Sequence, residues 1–457
     1  MKKFDNIIIG SGQAGTPLAF TLASKGQSVA FIEKEHYGGT CLNTGCTPTK
    51  AYVASARRIW DSKHGDELGI YIPEGATANL HNIKARKDSL ITGSVDGIKD
   101  GIKKNNKITA YWGEVRFTGN KEVFVNGETL TADRIFINVG GRPRIPGAYA
   151  TAGPLTNKSL LELTELPEHL VVVGGGYIGL EFGQMFARFG SKVTIVERGS
   201  RIIDKEDEDV SEAIQEALEA DGVNFRLNAT CMGAKRLENG QVEVTVNCDS
   251  GAPKVTGSHV LLAIGRNPNG DLLNLEKTGV KTDERGFITV NDTLETNVEG
   301  IYALGDCNGE GAFTHTAYND FQIVQDQLFG DGQRRLSDRI TTYGLFVDPP
   351  LGRVGMTLTQ AKESGKKILT NTRPMSKVAR AKEKGETRGL MRVIVDADTE
   401  KILGASILGT GGDEVIQGIT NLMYAGASYK VLRDSVQIHP TVSELLPTLL
   451  EGLKAPE

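Results

Sequence analysis

Two stretches of the chain share one pattern of apolar and polar positions. Asn6-Ile-Ile-Ile-Gly-Ser-Gly-Gln-Ala-Gly15 and Leu170-Val-Val-Val-Gly-Gly-Gly-Tyr-Ile-Gly179 each open on a short uninterrupted apolar run, break at glycines and continue at helical spacing. After each helix comes a second strand-like run ending in an acid, Val29-Ala-Phe-Ile-Glu33 in one and Val193-Thr-Ile-Val-Glu197 in the other. The pattern predicts two βαβ units. Between them, residues 111–126 alternate like antiparallel strands, and Arg134-Ile-Phe-Ile-Asn-Val-Gly-Gly141 has the composition of a buried closing strand. Arg142-Pro-Arg-Ile-Pro-Gly147 then breaks regular structure. The second unit repeats the plan, with a hairpin around residues 247–253, a closing strand Val260-Leu-Leu-Ala-Ile-Gly265 and an end at Asn267-Pro-Asn-Gly270. From Thr341 onward the pattern changes, with strands at 389–396 and 402–408 followed by helical segments. The expected fold is α/β with a C-terminal α+β domain. Its divisions fall at 1–147, 148–269, 270–338 as a return to the first domain, and 339–457.

Composition narrows this further. A chain of 457 residues exceeds one ordinary core. With 39% hydrophobic and 24% charged residues it belongs to the soluble globular class, and 55 glycines suggest many tight backbone approaches. A formal net charge of −5 gives no broad basic surface for nucleic acid or an anionic membrane. No apolar run approaches the roughly 20 residues of a spanning helix. Met-Lys-Lys-Phe-Asp leads straight into the first strand, leaving no room for a signal peptide, so a cytoplasmic location is expected. Five cysteines, an odd number, argue against a disulfide framework and for catalytic or incidental thiols.

In Gly10-x-Gly12-x-x-Gly15 the glycines permit a tight turn and a close approach to pyrophosphate, and the helix N-terminus offers free N–H groups to phosphates. Glu33 would accept from ribose hydroxyls. A glycine turn without a ligand is the alternative, but strand, helix, second strand and acid all fall in order. Gly174-x-Gly176-x-x-Gly179 with Glu197 repeats the case for a second adenine dinucleotide. Two such ligands in one Rossmann-like pair suggest electron transfer between a flavin and a nicotinamide. Glu197 repels a 2′-phosphate and favours NADH over NADPH, although Arg198 and Arg201 lie close enough in sequence to bind one.

Gly38-Gly-Thr-Cys41-Leu-Asn-Thr-Gly-Cys46-Thr-Pro-Thr-Lys50 follows directly on the first ribose acid and places a dithiol beside the first dinucleotide, which assigns FAD to that copy. Pro48 suits a first helical turn, so Cys46 is expected near a helix N-terminus, where the dipole lowers a thiol pKa. Two other readings exist. The cysteines could be small core residues, or a metal clip, but a polar glycine-bearing loop does not suit the first. The second lacks ligands apart from His36, and no metal is expected. Cys231, Cys248 and Cys307 are assigned no chemistry.

On these motifs, together with Gly-Gly-Gly-Tyr-Ile-Gly-Leu-Glu, the Gly-Asp pair at 305–306 and His439-Pro-Thr-Val-Ser-Glu444, the whole chain resembles the class I flavin disulfide reductases, which include glutathione reductase, dihydrolipoamide dehydrogenase and mercuric reductase. The resemblance implies that Cys46 is the flavin-proximal, charge-transfer thiol and Cys41 the interchange thiol. It pairs Lys50 with Glu181 near the reactive flavin edge and makes Tyr177 the aromatic that covers the flavin until nicotinamide displaces it. Taken alone, Lys50 would be a solvated helix residue and Tyr177 a packing residue. Gly10, Gly12, Gly15, Glu33, Lys34, Gly39, Thr40, Lys50, Gly140 and Asp306 are assigned to FAD, although Asp306 alone would also suit a turn that ends a strand. Gly174, Gly176, Tyr177, Ile178, Gly179, Glu197 and Gly265 are assigned to NAD(P)H. His439 and Glu444 match the acid/base dyad, though residues 441–444 also fit a capping box for the last helix. The C-terminal domain becomes a dimerisation domain, with His439 serving the partner's disulfide in a homodimer.

The implied cycle runs from NADH through FAD and the Cys41–Cys46 disulfide to an oxidant, with His439 handling the proton of Cys41. Mercuric reductases carry a C-terminal cysteine pair, but this chain ends Leu450-Glu-Gly-Leu-Lys-Ala-Pro-Glu457 without one. Residues 313–324 and the tail resemble a mercuric-reductase-like branch associated with bacterial oxidant and metal-stress defence, including resistance to reactive chlorine or hypothiocyanous acid. The expected acceptor is a disulfide or small thiol-reactive oxidant. The alternative is a dihydrolipoamide dehydrogenase serving as a subunit of a 2-oxo acid dehydrogenase complex.

Overall fold

The computed structural model describes residues 1–72, 75–248 and 251–456, without the side chain of Cys248. Its first sheet is built on Lys2–Ile9, which pairs in parallel with Val29–Glu33 on one side and Glu128–Ile137 on the other. Ile301–Ala303, far along the chain, pairs in parallel with the end of Glu128–Ile137 and returns the chain to this sheet. The inner strands are buried on both faces, as in a parallel sheet covered by helices, and their sequences are therefore continuous apolar runs. The expected antiparallel stretch at 111–126 is partly corrected. Ile108–Trp112 is a parallel edge strand beside Val29–Glu33, and only Val115–Gly119, Glu122–Val125 and Glu128–Ile137 form an antiparallel meander. Only residues 111 and 112 of the expected stretch fall in that edge strand, and the alternation that was read belongs to the meander that follows it.

The second glycine unit forms its own four-stranded parallel sheet in the order Val223–Arg226, Lys192–Val196, His169–Val173, His259–Leu262. An antiparallel pair, Val242–Cys248 with Lys254–Gly257, stands where a hairpin was expected, but residues 249 and 250 of its turn lie outside the described residues. The break expected at residues 142–147 is also corrected. Gly141–Pro143 is a short strand paired antiparallel with Arg266–Pro268, so the chain's exit from the first sheet and its return lie side by side. The C-terminal part is a five-stranded antiparallel sheet in the order Thr342–Leu345, Leu351–Gly355, Ile402–Leu408, Leu390–Asp396, Ile368–Pro374. The architecture is α/β, with two Rossmann-like units and a C-terminal α+β unit. No described helix is long and apolar enough to cross a membrane.

Candidate active site

Both glycine motifs sit where a strand hands over to a helix, Gly15–Ser24 in the first unit and Tyr177–Phe189 in the second. A Cβ on Gly15 would stand 2.2 Å from the Gly10 carbonyl oxygen, and one on Gly179 would stand 2.0 Å from that of Gly174. Only a glycine lets these helices start so close to their strands, whereas at Gly176 the same position opens into free space. Crowding inward and vacancy outward is the shape needed where a pyrophosphate meets a helix N-terminus, so the second loop fits a dinucleotide. In the first loop a Cβ on Gly12 would instead meet the Asn138 side chain at 2.8 Å, so this position too accepts only a glycine. Gly15→Ala is expected to cost about 1–3 kcal/mol of stability through forced backbone displacement. It should also reduce flavin content after gel filtration, read from absorbance.

Glu33 is buried and accepts from the Ser11 backbone N–H at 3.0 Å and from the N–H groups of Lys34 and Glu35, both at 2.8 Å. Glu197 accepts from Gly175 N–H at 2.6 Å and Gly199 N–H at 2.9 Å. Each acid is thus fixed at the tip of its glycine loop. Arg201 turns away from that tip and donates to the carbonyls of Asp204 at 3.1 Å and Glu206 at 3.4 Å, while Arg198 stays exposed. Gly140 and Gly265, expected at different ligands, lie together at the paired connections, where Asn269 N–H donates to the Gly140 carbonyl and Arg144 N–H to that of Gly265. Lys34 and Thr40 are exposed, and Ile178 packs on the second unit's core.

The dithiol segment is tied to the first glycine loop by Gly38 N–H, which donates to the Ser11 carbonyl at 3.0 Å. Gly39 packs so close that a Cβ there would meet Gly12 Cα at 2.9 Å. Cys41 was expected in a loop; it lies in the short helix Gly39–Asn43, which the Asn43 side chain closes by donating to the Tyr37 and Gly39 carbonyls. Gly45 then allows the next helix, Cys46–Asp61, to begin against this one, since a Cβ there would lie 2.9 Å from the Thr40 carbonyl oxygen.

Cys41 and Cys46 are free thiols that act on each other's ionisation. The neighbouring Cys41 thiol, helped by the Thr314 hydroxyl and the charge of Lys50, outweighs burial and lowers the Cys46 thiol from 9.0 to about 6. The nearby Cys46 and burial push Cys41 well up, so Cys46 is the more acidic of the two. In the reduced protein, alkylation of Cys46 by iodoacetamide should rise as pH increases through about 6 and level off above it. In Cys41→Ala, which removes the largest lowering influence, the midpoint should move upward; mass spectrometry of the Cys46 peptide checks both.

Lys50, four residues after Cys46 on the same helix face, reaches Glu181 at 2.6 Å, and Glu181 lies one turn after Tyr177 on the opposing helix. Phe346 closes this pair from the C-terminal part. Its N–H donates to the other Glu181 oxygen at 3.0 Å, and its ring lies 4.4 Å from Lys50 Nζ. Thr314 opens the helix Thr314–Phe329 and sets its hydroxyl 3.1 Å from Cys46 Sγ. Burial raises the Asp306 carboxyl, with Arg266 Nε 3.9 Å away working against it.

His439 Nδ1 meets Glu444 Oε2 at 2.7 Å while the imidazole stays 76% exposed. The capping box is half made. Glu444 N–H donates to the Thr441 hydroxyl at 3.2 Å, but the Glu444 carboxylate goes to the imidazole instead of returning to the backbone. Among the described residues, no group of three or more His, Cys, Asp or Glu is arranged to hold a metal ion.

Sequence reasoning missed several residues that shape this region. Asn138 accepts from Gly15 N–H at 2.9 Å and donates to the Leu304 carbonyl at 2.8 Å, joining the glycine loop to the strand before Asp306. Asp320, almost fully buried, accepts from Gly305 N–H at 2.7 Å and pairs with Arg339. Thr314, Phe346 and Asn157, which donates to the Thr44 carbonyl at 2.6 Å, complete the list. No local motif marks them, because each acts across more than 100 residues of sequence or through a backbone atom.

Residues 4–320 match the pyridine nucleotide-disulphide oxidoreductase family, and residues 341–450 match that family's dimerisation domain. The chain is 39% identical to the probable pyridine nucleotide-disulfide oxidoreductase RclA of Escherichia coli (strain K12), covering 99% of this chain and 100% of that protein. It is 32% identical to a dihydrolipoyl dehydrogenase of Staphylococcus aureus, covering 96% and 94%. A mercuric reductase of Staphylococcus aureus is also 32% identical, covering 96% of this chain and 81% of that one. The solved Cu(II) complex of the HOCl-induced flavoprotein disulfide reductase RclA from Escherichia coli superposes with a TM-score of 0.89 at 36% identity, over 99% of each chain. The chain belongs to the pyridine nucleotide-disulphide oxidoreductase family and is a class I flavin disulfide reductase that uses FAD and NAD(P)H.

Proposed function

We propose that this enzyme uses NADH to reduce a disulfide or small thiol-reactive oxidant through Cys41 and Cys46, in cytoplasmic defence against oxidant or metal stress. The observation that carries this reading is the setting of the dithiol, with Cys46 at the head of the helix that also carries Lys50, its Sγ 3.1 Å from the Thr314 hydroxyl, and Lys50 itself 2.6 Å from Glu181. The likeness to an HOCl-induced reductase points to the oxidant branch. Glu197 at the second glycine loop, with Arg201 turned to the backbone, supports NADH as the coenzyme. Residues 1–147 and 270–338 form the FAD part in this reading, 148–269 the NAD(P) part and 339–457 the dimerisation part.

Gly10, Gly12, Gly15, Glu33 and Asp306 would hold FAD, and Gly174, Gly176, Gly179 and Glu197 the nicotinamide dinucleotide. When bound, the flavin supplies two-electron transfer between the nicotinamide and the cysteine pair. His439 of the partner subunit, oriented by Glu444, takes the proton of Cys41. The Cys41 thiolate then attacks sulfur of the oxidant, forming a mixed disulfide and expelling a leaving group that takes the proton back. Cys46 thiolate attacks Cys41 Sγ, releases the reduced sulfur and leaves the Cys41–Cys46 disulfide. Two electrons thus pass from the dithiol to the acceptor.

Turnover of NADH with lipoamide, glutathione disulfide, hypothiocyanous acid and Hg(II) in parallel tests the reading. Fast reduction of the small oxidant with lipoamide inert supports it. Fast lipoamide turnover assigns a dihydrolipoamide dehydrogenase instead.

A further inference from the structure

Phe346 to Asp348, a short segment of the C-terminal part, is wedged between the two helices that begin at the chemistry. Helix Tyr177–Phe189 grips it from one side. Phe346 N–H donates to Glu181 Oε1 at 3.0 Å, Asp348 N–H donates to the Gln184 side-chain oxygen at 2.7 Å, and the Gln184 amide donates back to the Asp348 carbonyl at 2.8 Å. One turn further along, Arg188 Nη1 meets the Asp348 carboxylate at 2.7 Å. Helix Cys46–Asp61 grips the segment from the other side, with Arg57 Nη1 2.6 Å from the same carboxylate oxygen and Lys50 Nζ 4.4 Å from the centre of the Phe346 ring. Steps of three, four and seven residues keep each set of partners on one helix face.

These bonds fix where the Phe346 ring must sit. It faces an ammonium already 2.6 Å from Glu181 Oε2, on a long side chain that is still 33% exposed. Phe346 also borders a cavity of about 440 Å³ at the junction of the three parts, so a side chain without the ring would leave the ammonium room to swing away. A cation is attracted to an aromatic face. Held there, Lys50 stays one helical turn from Cys46 on the same face, where a positive charge favours a thiolate. The Cys41 neighbour is the largest influence lowering Cys46, followed by the Thr314 hydroxyl and Lys50, with burial and the charge of Glu181 opposing them.

We propose that Phe346 is a positioning residue for the dithiol, whose ring, seated by the Glu181 and Gln184 bonds, holds the Lys50 ammonium beside Cys46 and out of the junction cavity. This rests on the reading of Cys46 as the thiolate of the pair. The C-terminal part thereby acts on the thiol chemistry of its own chain as well as carrying His439 for the partner.

The test is the pH midpoint of Cys46 alkylation by iodoacetamide in the flavin-loaded protein with its thiols reduced. Phe346→Leu keeps the backbone donor and removes the aromatic face. Its midpoint is expected to rise by about 0.3 to 1 pH unit, roughly a two- to tenfold change in acid constant. Phe346→Tyr keeps the face and should stay at the wild-type midpoint. Lys50→Met sets the full size of the charge effect, and adding Phe346→Leu to it should move the midpoint no further. A raised midpoint in Lys50→Met with a wild-type one in Phe346→Leu would overturn the inference and leave the thiolate reading intact. Equal rises in Phe346→Leu and Phe346→Tyr, or a further rise in the double variant, would also overturn it, because packing would then explain the effect. An unchanged midpoint in Lys50→Met would remove the charge from Cys46, and the inference with it. A wild-type midpoint near 9.0 would sink the thiolate reading and the inference together. Phe346 is only half-buried; should Phe346→Leu nevertheless fail to fold, Phe346→Met loses the same face with less change in volume and decides the matter.

Discussion

Cys41→Ser is expected to lower turnover with any disulfide or thiol-reactive oxidant by roughly 10³-fold or more, while NADH bleaches the flavin absorbance as fast as in the wild type. The two thiols differ because their surroundings do. Cys46 is favoured as the thiolate by its Cys41 neighbour, the Thr314 hydroxyl and Lys50, so it belongs to the cofactor side of the exchange. At Cys41 the nearby Cys46 and burial outweigh the pull of the Thr314 hydroxyl and favour the protonated thiol, which leaves it the attacking group once deprotonated. Serine at position 41 removes the nucleophile that meets the oxidant but can still donate to Cys46. Stopped-flow absorbance of the reductive half-reaction, set against steady-state turnover, checks the split. Equal loss in both halves would contradict this division of labour.

The second large effect is expected at His439. Replacing it with alanine should reduce turnover about 10²- to 10⁴-fold, the usual worth of a positioned acid/base group. Because the Glu444 carboxylate only accepts, the 2.7 Å contact puts the imidazole proton on Nδ1 and leaves Nε2 open as the base. Glu444→Gln should cost less than His439→Ala and more than a surface change. A mixed dimer tests where the imidazole acts. With sites shared between subunits, combining Cys41→Ser protomers with His439→Ala protomers creates one intact site in each hybrid, made of Cys41 from one chain and His439 from the other. Activity should then reappear on mixing two nearly inactive proteins. If each chain supplied its own complete site, the mixture would remain inactive.

The legible part of this molecule was what is local in sequence. Apolar runs ending in glycine located both parallel sheets because strands buried on two faces leave no alternation to confuse. The Cys-x4-Cys spacing and the later Lys50 were readable because helix geometry puts positions 46 and 50 on one face. The position of Glu181 was available only through resemblance, since nothing nearby predicts a partner 131 residues away. The helical setting of Cys41 was hidden because the five residues Gly39-Thr-Cys-Leu-Asn43 have little helix propensity, and the Asn43 side chain makes up the difference by bonding back to two carbonyls. Asn138, Thr314 and Phe346 were invisible for a related reason. Their roles depend on the return of Ile301–Ala303 to the first sheet and on where the C-terminal sheet packs, and no periodicity encodes either.

The pairing of Gly141–Pro143 with Arg266–Pro268 gives the second glycine unit a single narrow neck. A segment whose entry and exit are adjacent behaves as a cassette. It can be exchanged between relatives, in evolution or at the bench, without altering the register of the sheet that receives it. Coenzyme preference could therefore be inherited as one block, grafted at two neighbouring cuts, while the thiol chemistry on the other side of the neck keeps its own history.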